Sequence, residues 1–440
     1  MNFEENLLSY LPKDVVKGIL DAQQEERVNS LILNTRKIKS EDFVTLFPKV
    51  KKHPFIKNVF IYDKNDYQFG KSWLFDNGVT YLIDTSSLLV SYLLSTEKQL
   101  VDYFEGKKHL LGLDMCSAPG GKLISFLLSS TSTNFEFIAN DLNFKRVIEL
   151  EKNVERQGFD NVIIANSDLE KIDSNFENTF DLIILDAPCS GSAMFRKNEQ
   201  ALKERSMNKV LKFQSIQKRL LSSAIKMLNK GGFISYSTCS FSKEENEDVI
   251  LDIIKSHPDI EVIDLSNNKQ FYRHSSLPQA IHLFPNLYEG EGQFICILHK
   301  KGVRQERQLK KSNKNTQYDN ILKELNLSFL NTKLINGEIF ANNNIVDLSK
   351  LNVIKPGLDI GTYNKGIFTP SFHLAHFLDS TSSIKLNEEE FKSYLHGDQI
   401  KKELKLKNGF YTVSYLDINL GYTKYVNGQL KNFYPKGLRH

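Results

Sequence analysis

The sequence has little cysteine: four residues in 440, at Cys116, Cys189, Cys239 and Cys296, with no C-x-x-C pair. This wide spacing argues against a disulfide scaffold and against a zinc ribbon, since both need paired or closely spaced cysteines. We therefore expect free thiols in a reducing compartment, and no metal site. For any one such cysteine, the ordinary interpretation is a small buried apolar residue.

Long apolar runs are also missing. No stretch approaches the roughly 18 uncharged apolar residues that a membrane span requires. The first residues, MNFEENLLSYLPKDVV, carry acidic side chains where a secretory signal would carry lysine or arginine. We expect neither a signal peptide nor a membrane segment, and a cytoplasmic location. The formal net charge of +4 is too small to indicate a nucleic-acid partner by itself.

Short apolar runs alternate with helix-like stretches between residues 80 and 300. The runs HLLGLD, FEFIAND, NVIIANSD, DLIILDAP and GFISYSTCS mostly end in an acidic or small polar residue. This alternation is typical of βαβ units around a parallel sheet that is buried on both faces. We predict an α/β, Rossmann-like domain over 80–300, with its functional residues beyond the carboxyl ends of the strands.

Three further segments flank this domain. Residues 1–79 mix helical spacing with short strand patterns, which predicts a small α/β N-terminal extension. Residues 301–318 lack an apolar period and, with Lys300 before them and Arg304 among them, predict a basic linker. This linker either contacts phosphate groups or is simply solvated. Residues 319–440 contain runs such as GFYTVSYLDINLGYTKYV, which predict a β-rich C-terminal domain.

The stretch LLGLDMCSAPGGKLISFLL, residues 110–128, predicts a cofactor loop. A strand ends at Asp114, a loop of small residues follows, and Lys122 opens a helix. Small residues let a ligand approach the backbone, and the start of a helix offers free N–H groups. The stretch matches neither G-x-G-x-x-G nor G-x-x-x-x-G-K-[ST], which disfavours a nicotinamide site and a nucleotide P-loop.

Acidic residues end the next two strand-like runs. Asp141 stands about 20 residues past the glycines, where doubly wound folds bind a ribose diol. Asp168 ends the following run and is placed to meet an adenine edge, with a helix N-cap as its alternative role. A small-residue loop followed by these two carboxylates suits S-adenosylmethionine.

Cys189 and Cys239 both follow strand-like runs, in DAPCSG and YSTCSFSKEENE. A thiol in this position favours a reaction at a carbon that must first be activated. Cytosine C5 is a poor nucleophile until a thiolate adds at C6 and makes C5 enamine-like. After C5 takes a methyl group, a base removes the C5 proton and the thiolate leaves. This chemistry needs an activated thiol and an acidic group at the N3/N4 edge of the base.

The segments MCSAPGGK, DAPCSG and YSTCSFSKEENE resemble the NOL1/NOP2/Sun family of RNA cytosine-5 methyltransferases. The resemblance implies an S-adenosylmethionine-dependent methyltransferase domain, with Cys239 as the nucleophile and Cys189 as the helper that promotes product release. It also implies that Asp186 lies at the cytosine edge. The residues that we predict around S-adenosylmethionine are Cys116, Ser117, Ala118, Pro119, Gly120, Gly121, Lys122, Asp141, Arg146, Asp168 and Asp186.

Other segments extend the resemblance along nearly the whole chain. YLIDTSSLL is similar to a family segment that often has glutamine at the position of Ile83, and FPNLYEGEGQFICIL is similar to its closing strand. PSFHLAHFL and NFYPKGLRH resemble the tail of the bacterial members that methylate 16S ribosomal RNA near the decoding site. The resemblance therefore implies a PUA-like RNA-binding module within 319–440, and an RNA-binding role for 1–79.

Four basic residues are candidates for contacts with RNA. Arg196 and Lys197 follow the loop of Cys189, where a phosphate beside a flipped base would pass. A surface pair at the start of a helix is their alternative role. Lys436 and Arg439, in the tail, either hold RNA or cap a surface.

The residues and the resemblance together predict C5 methylation of cytosine in 16S ribosomal RNA, with the 30S subunit as partner. The same reaction on tRNA or 23S ribosomal RNA shares every catalytic motif, and only the C-terminal module argues against it. A non-catalytic ribosome-assembly factor is the alternative from another class, but a binding module has no need of two thiols in these motifs. The sequence leaves the oligomeric state open.

Overall fold

The structure of the protein is a computed structural model. It describes residues 2–130, 135–195, 206–265, 270–305, 318–325, 327, 331–342 and 347–439. Within these ranges no helix has both the length and the apolar character that crossing a membrane requires. The predicted RNA-contacting residues Arg196 and Lys197 lie outside the described residues.

The chain begins with two short helices, α1 (Phe3–Leu8) and α2 (Lys13–Ala22). Their apolar residues recur at helical spacing and so form one apolar face per helix. These faces join a buried cluster with Phe195 and Phe241. Because these aromatic residues adjoin the loops of Cys189 and Cys239, the N-terminal helices pack close to the two candidate thiols.

A small antiparallel sheet follows these helices. Its elements are β1 (Asn29–Leu33), α3 (Ser40–Leu46), β2 (Lys51–Lys52), β3 (Val59–Tyr62), η1 (Phe69–Lys71), α4 (Trp73–Asp76) and β4 (Thr80–Leu82). The strands lie in the order β2-β3-β1-β4. Aromatic contacts of Phe43 with Phe60 and Phe69 fill the core beneath them. Because β4 pairs with β1, this sheet continues past the predicted boundary at residue 79.

The central sheet contains the predicted βαβ units. Its strands in this part of the chain are β5 (Leu110–Asp114), β6 (Phe135–Asn140), β7 (Val162–Ala165), β8 (Phe180–Asp186), β9 (Leu228–Thr238), β10 (Ile260–Val262), β11 (Ile281–Leu283) and β12 (Gln293–Lys300). The helices around it are α5 (Thr85–Thr96), α6 (Lys98–Phe104), α7 (Gly121–Ser129), α8 (Phe144–Gln157), α9 (Leu169–Ile172), η2 (Asp173–Phe176), η3 (Ser192–Met194), α10 (Met207–Met227), η4 (Lys243–Glu245) and α11 (Glu247–Ser256).

The order of the strands sets the place of the site. Along the sheet they follow β10-β12-β9-β8-β5-β6-β7, with β11 beside β12. The strands from β9 to β7 are parallel, and β12 joins β9 in the antiparallel direction. Since β5 contacts β6 on one side and β8 on the other, the winding reverses there, which is where ligands bind in such sheets. The predicted Rossmann-like fold is confirmed.

The predicted β-rich C-terminal domain contains two sheets. The first has α12 (Asp319–Glu324), β13 (Asn331–Ile335), β14 (Glu338–Asn342), β16 (Leu358–Asn364), β17 (Ile367–Pro370) and α13 (Leu374–Phe377). The second has β18 (Ile384–Lys385), α14 (Glu388–His396), β19 (Ile400–Lys401), β20 (Gly409–Tyr415), β21 (Ile418–Val426), β22 (Gln429–Asn432) and η5 (Lys436–Leu438). Their strand orders are β13-β14-β16-β17 and β18-β20-β21-β22-β19.

The C-terminal region packs against both earlier parts of the chain. A short strand between its sheet strands, β15 (Val353–Lys355), pairs antiparallel with β7 and so extends the central sheet. The ammonium of Lys355 forms an ion pair with Glu155 of α8. Trp73 of the N-terminal sheet contacts the ring of Phe391 edge-on. The C-terminal region is therefore joined to the rest of the protein by strand pairing, charge and aromatic packing.

The described part of the basic linker is docked on the central domain. Arg304 Nε lies 2.7 Å from Oδ1 of Asp181, whose carboxylate is fully buried. The side chain of Asn229 exchanges hydrogen bonds of 3.0 and 3.1 Å with the backbone of Gln305. Lys300, at the end of β12, donates to two backbone carbonyl groups at 2.9 Å. Lys300 and Arg304 thus have partners within the fold, which argues against phosphate contacts by these two residues; for the remainder of the linker, both alternatives stay predictions.

Candidate active site

The loop between β5 and α7 is held by its neighbours. The guanidinium of Arg146, on α8, donates to the carbonyl oxygen of Ala118, and the N–H of Ser117 donates to the end of β6 at 2.8 Å. Gly120, at the start of α7, has a φ of +105°, and a Cβ there would lie 2.9 Å from Leu150. A glycine is therefore required where this turn enters the helix.

A cleft of about 740 Å³ opens at the carboxyl ends of the parallel strands. The predicted site residues that line it are Cys116, Asp141, Arg146, Asp168, Asp186, Cys189 and Cys239. The predicted residues that shape the loop and the start of α7 without lining the cleft are Ser117, Ala118, Pro119, Gly120, Gly121 and Lys122. Leu142 and Leu169 add apolar surface. One cleft is therefore lined by five of the eleven predicted cofactor residues and by the two thiols.

Asp141 follows β6, and one of its two carboxylate oxygens accepts no hydrogen bond from a described residue. Its Oδ1 accepts a hydrogen bond from the backbone N–H of Asn143 at 2.9 Å. Its Oδ2 lies 3.2 Å from Nη1 of Arg146, but no described residue donates a hydrogen bond to it. A buried carboxylate oxygen without a donor at the edge of a cleft suits a ligand hydroxyl.

Asp168 and Cys116 stand on the wall of the same cleft. Asp168 occupies the N-cap position of α9, but its side chain makes no capping hydrogen bond. It forms an ion pair of 2.9 Å with Lys171 instead, so its carboxylate remains at the cleft. Burial, with the charges of Asp114 and Asp141, raises the pKa of the Cys116 thiol. A neutral thiol at this position offers the cleft a small, weakly polar surface.

The carboxylate of Asp186, at the end of β8, is fixed by three donors. Lys122 Nζ lies 2.6 Å from Oδ2, while Ser237 Oγ and Gln293 Nε2 donate to Oδ1 at 2.7 and 2.9 Å. Burial opposes the charge of Lys122, but Asp186 and Cys239 together raise its pKa above the ordinary value. The carboxylate is therefore held in one orientation beside a persistent cation.

The two cysteines meet because their strands are neighbours. Cys239 directly follows β9 and Cys189 follows β8 by three residues, and the parallel register sets Asp186 opposite Ser237. The sulfur atoms lie 2.9 Å apart, with both residues partly exposed and unbridged. The hydrogen bond to Cys239, burial and the charges of Glu245 and Asp186 raise the pKa of the Cys189 thiol well above its ordinary value. Cys189 therefore keeps its proton and can donate to the sulfur of Cys239.

Several residues of the site were not predicted from the sequence. They are Asp114 behind the loop, Ser87 beside Lys122, the Asp186 partners Ser237 and Gln293, and Glu245 between the cysteine loops. The sequence could have identified Asp114 as a site residue, because it ends a strand-like run immediately before the small-residue loop. Ser237, Gln293 and Ser87 had none, since they contact the site only through strand register and helix packing.

The strand order and the shared cleft define an S-adenosylmethionine-dependent methyltransferase domain with a Rossmann-like fold. Residues 103–299 match the family described as 16S rRNA methyltransferase RsmB/F, and residues 381–440 match the methyltransferase RsmF PUA domain. The first match spans most of the central domain and the second the end of the C-terminal region, so the chain is similar to this type of methyltransferase in both parts. The family prediction from the motifs is confirmed.

Curated relatives resemble the chain over most of its length. The ribosomal RNA small subunit methyltransferase F of Shewanella piezotolerans is 28% identical over 472 aligned positions, with 99% of this chain and 97% of that protein covered. The methyltransferase F of Vibrio cholerae is 26% identical over 386 positions, with 82% of this chain and 79% of that protein covered. The likeness therefore includes the segments that flank the central domain.

Solved structures share the methyltransferase fold. A methyltransferase homolog protein from Pyrococcus horikoshii is 27% identical, with a TM-score of 0.55 over 67% of this chain and 93% of its own. NSun6 from the same organism, solved with SFG, has a TM-score of 0.57 at 19% identity, over 69% of this chain and 98% of its own. The second likeness bears on the fold alone.

The cofactor of this class is S-adenosylmethionine, and the residues present fit it. The molecule carries positive charge on its sulfonium and amino groups, and carboxylates surround the loop. Oδ2 of Asp141 lacks a hydrogen-bond partner among the described residues, and the Asp114 carboxylate behind the loop interacts with the Ser117 side chain. Burial raises the pKa of Asp114 to about 7. A cation bound nearby would favour the ionised form of this carboxyl.

Asp141→Ala is expected to weaken S-adenosylmethionine binding by about 1.5–3 kcal/mol, the range for losing a hydrogen bond to a charged group. The midpoint of thermal unfolding should fall only modestly, because within the described fold the carboxylate has one hydrogen bond, from the Asn143 N–H, and one ion pair, with the half-exposed Arg146. Calorimetric titration measures the affinity, with Asp102→Ala, on the exposed face of α6, as the control. Wild-type affinity in Asp141→Ala would rule out the contact with the ribose.

Proposed function

We propose that the protein methylates C5 of cytosine in 16S ribosomal RNA, through a covalent bond between Sγ of Cys239 and C6 of the base. The observation that carries this proposal is the pair of thiols 2.9 Å apart in the cleft that also contains Asp141 and Asp186. Methylation of an oxygen or nitrogen atom has no use for a thiol nucleophile, whereas a carbon that must be activated needs one.

The residues of the chain account for addition and elimination. The thiolate of Cys239 forms a bond to C6, which makes C5 nucleophilic. S-adenosylmethionine, when bound, supplies an electrophilic methyl group for C5. A base then removes the C5 proton, the C5–C6 double bond forms again, and the bond between sulfur and C6 breaks. This last step restores the Cys239 thiolate, so atoms and charge balance over the cycle.

Asp186 is the proposed partner of the N3/N4 edge of cytosine. Its carboxylate is already oriented by Lys122, Ser237 and Gln293 before RNA arrives. Groups that are fixed in advance stabilise a developing charge without a cost of reorganisation. The fixed carboxylate therefore orients the ring by accepting from its N4 amino group, and the adjoining Lys122 ammonium stabilises the negative charge that the added thiolate places on the ring.

Cys189 is proposed to promote product release. Because its pKa is raised, the thiol stays protonated at neutral pH and does not compete with Cys239 for C6. It can instead donate a hydrogen bond to the Cys239 sulfur as negative charge returns to that atom. A better-stabilised thiolate leaves faster, so Cys189 favours elimination.

Ribosomal RNA is the proposed substrate because the matched family and the curated relatives act on it by name. The PUA match over 381–440 agrees with a role of the C-terminal region in positioning RNA. Within that region Lys436 is exposed, while the Arg439 guanidinium donates to the backbone of Tyr434. We propose RNA contacts for both residues, with the 30S subunit in the cytoplasm as the setting.

The test uses purified protein, labelled S-adenosylmethionine, and RNA from a strain that lacks the gene. Free 16S RNA, 30S subunits, tRNA and 23S RNA are offered separately, and nucleosides are identified by mass spectrometry. We expect 5-methylcytidine in 16S RNA, located by bisulfite sequencing. Transfer confined to tRNA or 23S RNA would contradict the substrate. Transfer that gives no 5-methylcytidine would contradict the reaction.

A further inference from the structure

Glu245 lies between the two cysteine loops and is fully buried. Its Oε1 accepts hydrogen bonds from the backbone N–H of Ser190 at 2.8 Å and from Gln217 Nε2 at 3.1 Å. Its Oε2 accepts from the hydroxyl of Ser190 and from that of Ser240, the latter at 2.5 Å. Ser190 and Ser240 each directly follow one of the two cysteines. A single carboxylate therefore joins the chain beside Cys189 to the chain beside Cys239.

The glutamate is itself held rigidly. Tyr236, on β9, donates its hydroxyl to the Glu245 carbonyl oxygen at 2.6 Å. The Asn246 side chain accepts from Thr238 Oγ1 at 2.6 Å and donates to the Ser240 carbonyl oxygen at 2.9 Å. These bonds tie η4 and the residue after it to the end of β9 and to Ser240, and so to both sides of Cys239. The Glu245 carboxylate is therefore held in place relative to Cys239 and can fix the position of the loop that follows Cys189.

Joining two loops through a buried carboxylate with four donors has a high desolvation cost. Burying a charge costs several kcal/mol unless hydrogen bonds offset it, and an apolar contact often stabilises a fold equally well. Burial raises the pKa of Glu245, and the bonds from Ser190, Ser240 and Gln217 oppose that rise. All four bonds donate toward the carboxylate, which suits its ionised form. The negative charge itself then acts on the neighbouring thiols.

We propose that Glu245 is a positioning residue that sets the distance between the two sulfur atoms and places a negative charge beside the loop of Cys189. The proposal rests on the proposed function for the roles of the thiols. In this proposal, the role of Glu245, which lies downstream of the T-C-S motif, is to fix the geometry of the two thiols. Without it, the two loops would keep the backbone bond from Ala193 to Cys239, the 3.1 Å contact between the Ser190 and Ser240 hydroxyls and the contact of the sulfur atoms, but would lose the carboxylate that binds both serines.

The Cys189 thiol is surrounded by groups that can titrate. Those that face it are Cys239 after β9, Glu245 on η4, Asp186 at the end of β8 and Tyr236 within β9. Among the described residues, Lys122 on α7 adds a positive charge to this group through its pairing with Asp186 and its interaction with Cys239. Since a negative charge favours the neutral thiol, removing the charge of Glu245 should lower the pH at which Cys189 becomes reactive.

The experiment compares Glu245→Gln, which keeps the length but loses the charge, with Glu245→Asp, which keeps the charge but loses reach. Alkylation of each cysteine by iodoacetamide is followed against pH by peptide mass spectrometry. For Glu245→Gln we expect the midpoint pH for alkylation of Cys189 to fall, because one of the charges that raise its pKa is removed. For Glu245→Asp we expect it to stay high. If the substitution only loosened the loops, alkylation of Cys189 would become faster at every pH, but the midpoint pH of its alkylation curve would not change.

Methyl transfer supplies the second readout. Both variants should lower kcat by about 10²-fold, as expected for reacting groups displaced by an ångström, with the KM for RNA and for S-adenosylmethionine unchanged. Glu244→Gln is the matched control. It removes the same charge from the same turn, but the Glu244 carboxylate contacts Asn6 of α1 instead of the cysteine loops. It should leave both readouts close to wild type.

Several outcomes would overturn the proposal: an unchanged Cys189 midpoint in Glu245→Gln, an equal shift in Glu244→Gln, or a rise in KM without a fall in kcat. If Glu245→Gln does not fold, Ser240→Ala removes one of the four bonds and should lower kcat several-fold. Alkylation needs no RNA. The thiol readout therefore stands even if the wild-type protein proves inactive on cytosine, which separates failure of this proposal from failure of the proposed function.

Discussion

Replacement of Cys239 by alanine is expected to abolish methyl transfer, and replacement of Cys189 is expected to trap the enzyme on its RNA. The two sulfur atoms are 2.9 Å apart, so either could reach the base, but their surroundings differ. The hydrogen bond to Cys239, burial and the charges of Glu245 and Asp186 raise the pKa of the Cys189 thiol, which makes Cys189 a poor nucleophile. In Cys189→Ala, Cys239 can still add to C6, whereas elimination loses its hydrogen-bond donor.

A denaturing gel distinguishes the two cysteines. Cys189→Ala incubated with RNA and S-adenosylmethionine should give a slowly migrating protein–RNA band, and Cys239→Ala and the double variant should give none. Cys296→Ala, within the buried face of β12, should behave as wild type. A covalent band that survives loss of Cys239 would reverse the roles of the two thiols.

Arg304→Ala is expected to destabilise the protein by about 3–5 kcal/mol, the cost of leaving a buried charge without its partner. The Asp181 carboxylate is fully buried at the start of β8, and Arg304 Nε lies 2.7 Å from it. Asp181 also accepts a hydrogen bond of 2.9 Å from the N–H of Leu111 on β5. Loss of Arg304 therefore weakens the contact between two central strands.

Lys301→Ala is the matched control, since it removes the same charge three residues earlier. Lys301 is exposed and lies 3.8 Å from the equally accessible Glu261, so its loss should change stability by less than about 1 kcal/mol. Urea unfolding measures both variants, and filter binding measures their affinity for RNA. A stable Arg304→Ala protein with weakened RNA affinity would restore the phosphate-contact interpretation of the linker.

Local patterns of residues were enough to predict the central domain. Five apolar runs separated by helical stretches can be buried on both faces only as a parallel sheet, so the βαβ order follows from periodicity. The polar residues that end those runs had to lie at one edge of the sheet, because parallel strands share their direction. This reasoning brought Asp141, Asp186, Cys189 and Cys239 to one cleft, and the structure places all of them there.

The C-terminal region was less predictable. The sequence indicated one β-rich unit joined by a basic linker, whereas the structure has two sheets and a strand, β15, that leaves them to pair with β7. The three residues of β15 are too few to show an apolar pattern, and their partner strand, β7, lies nearly 200 positions earlier in the chain. The sequence suggested that Arg304 is a surface charge, because only folding brings its partner, Asp181, close to it.

The sequence by itself determined which chemical groups the protein has, where its strands end, and that two thiols stand beside a cofactor loop. Only the tertiary structure decided how those groups act on one another. Asp186 receives its donors from α7, β9 and β12, and Glu245 joins loops that are 50 residues apart. The physical reason is that burial and hydrogen-bond geometry depend on register and packing between distant elements, and local residue patterns do not encode these directly.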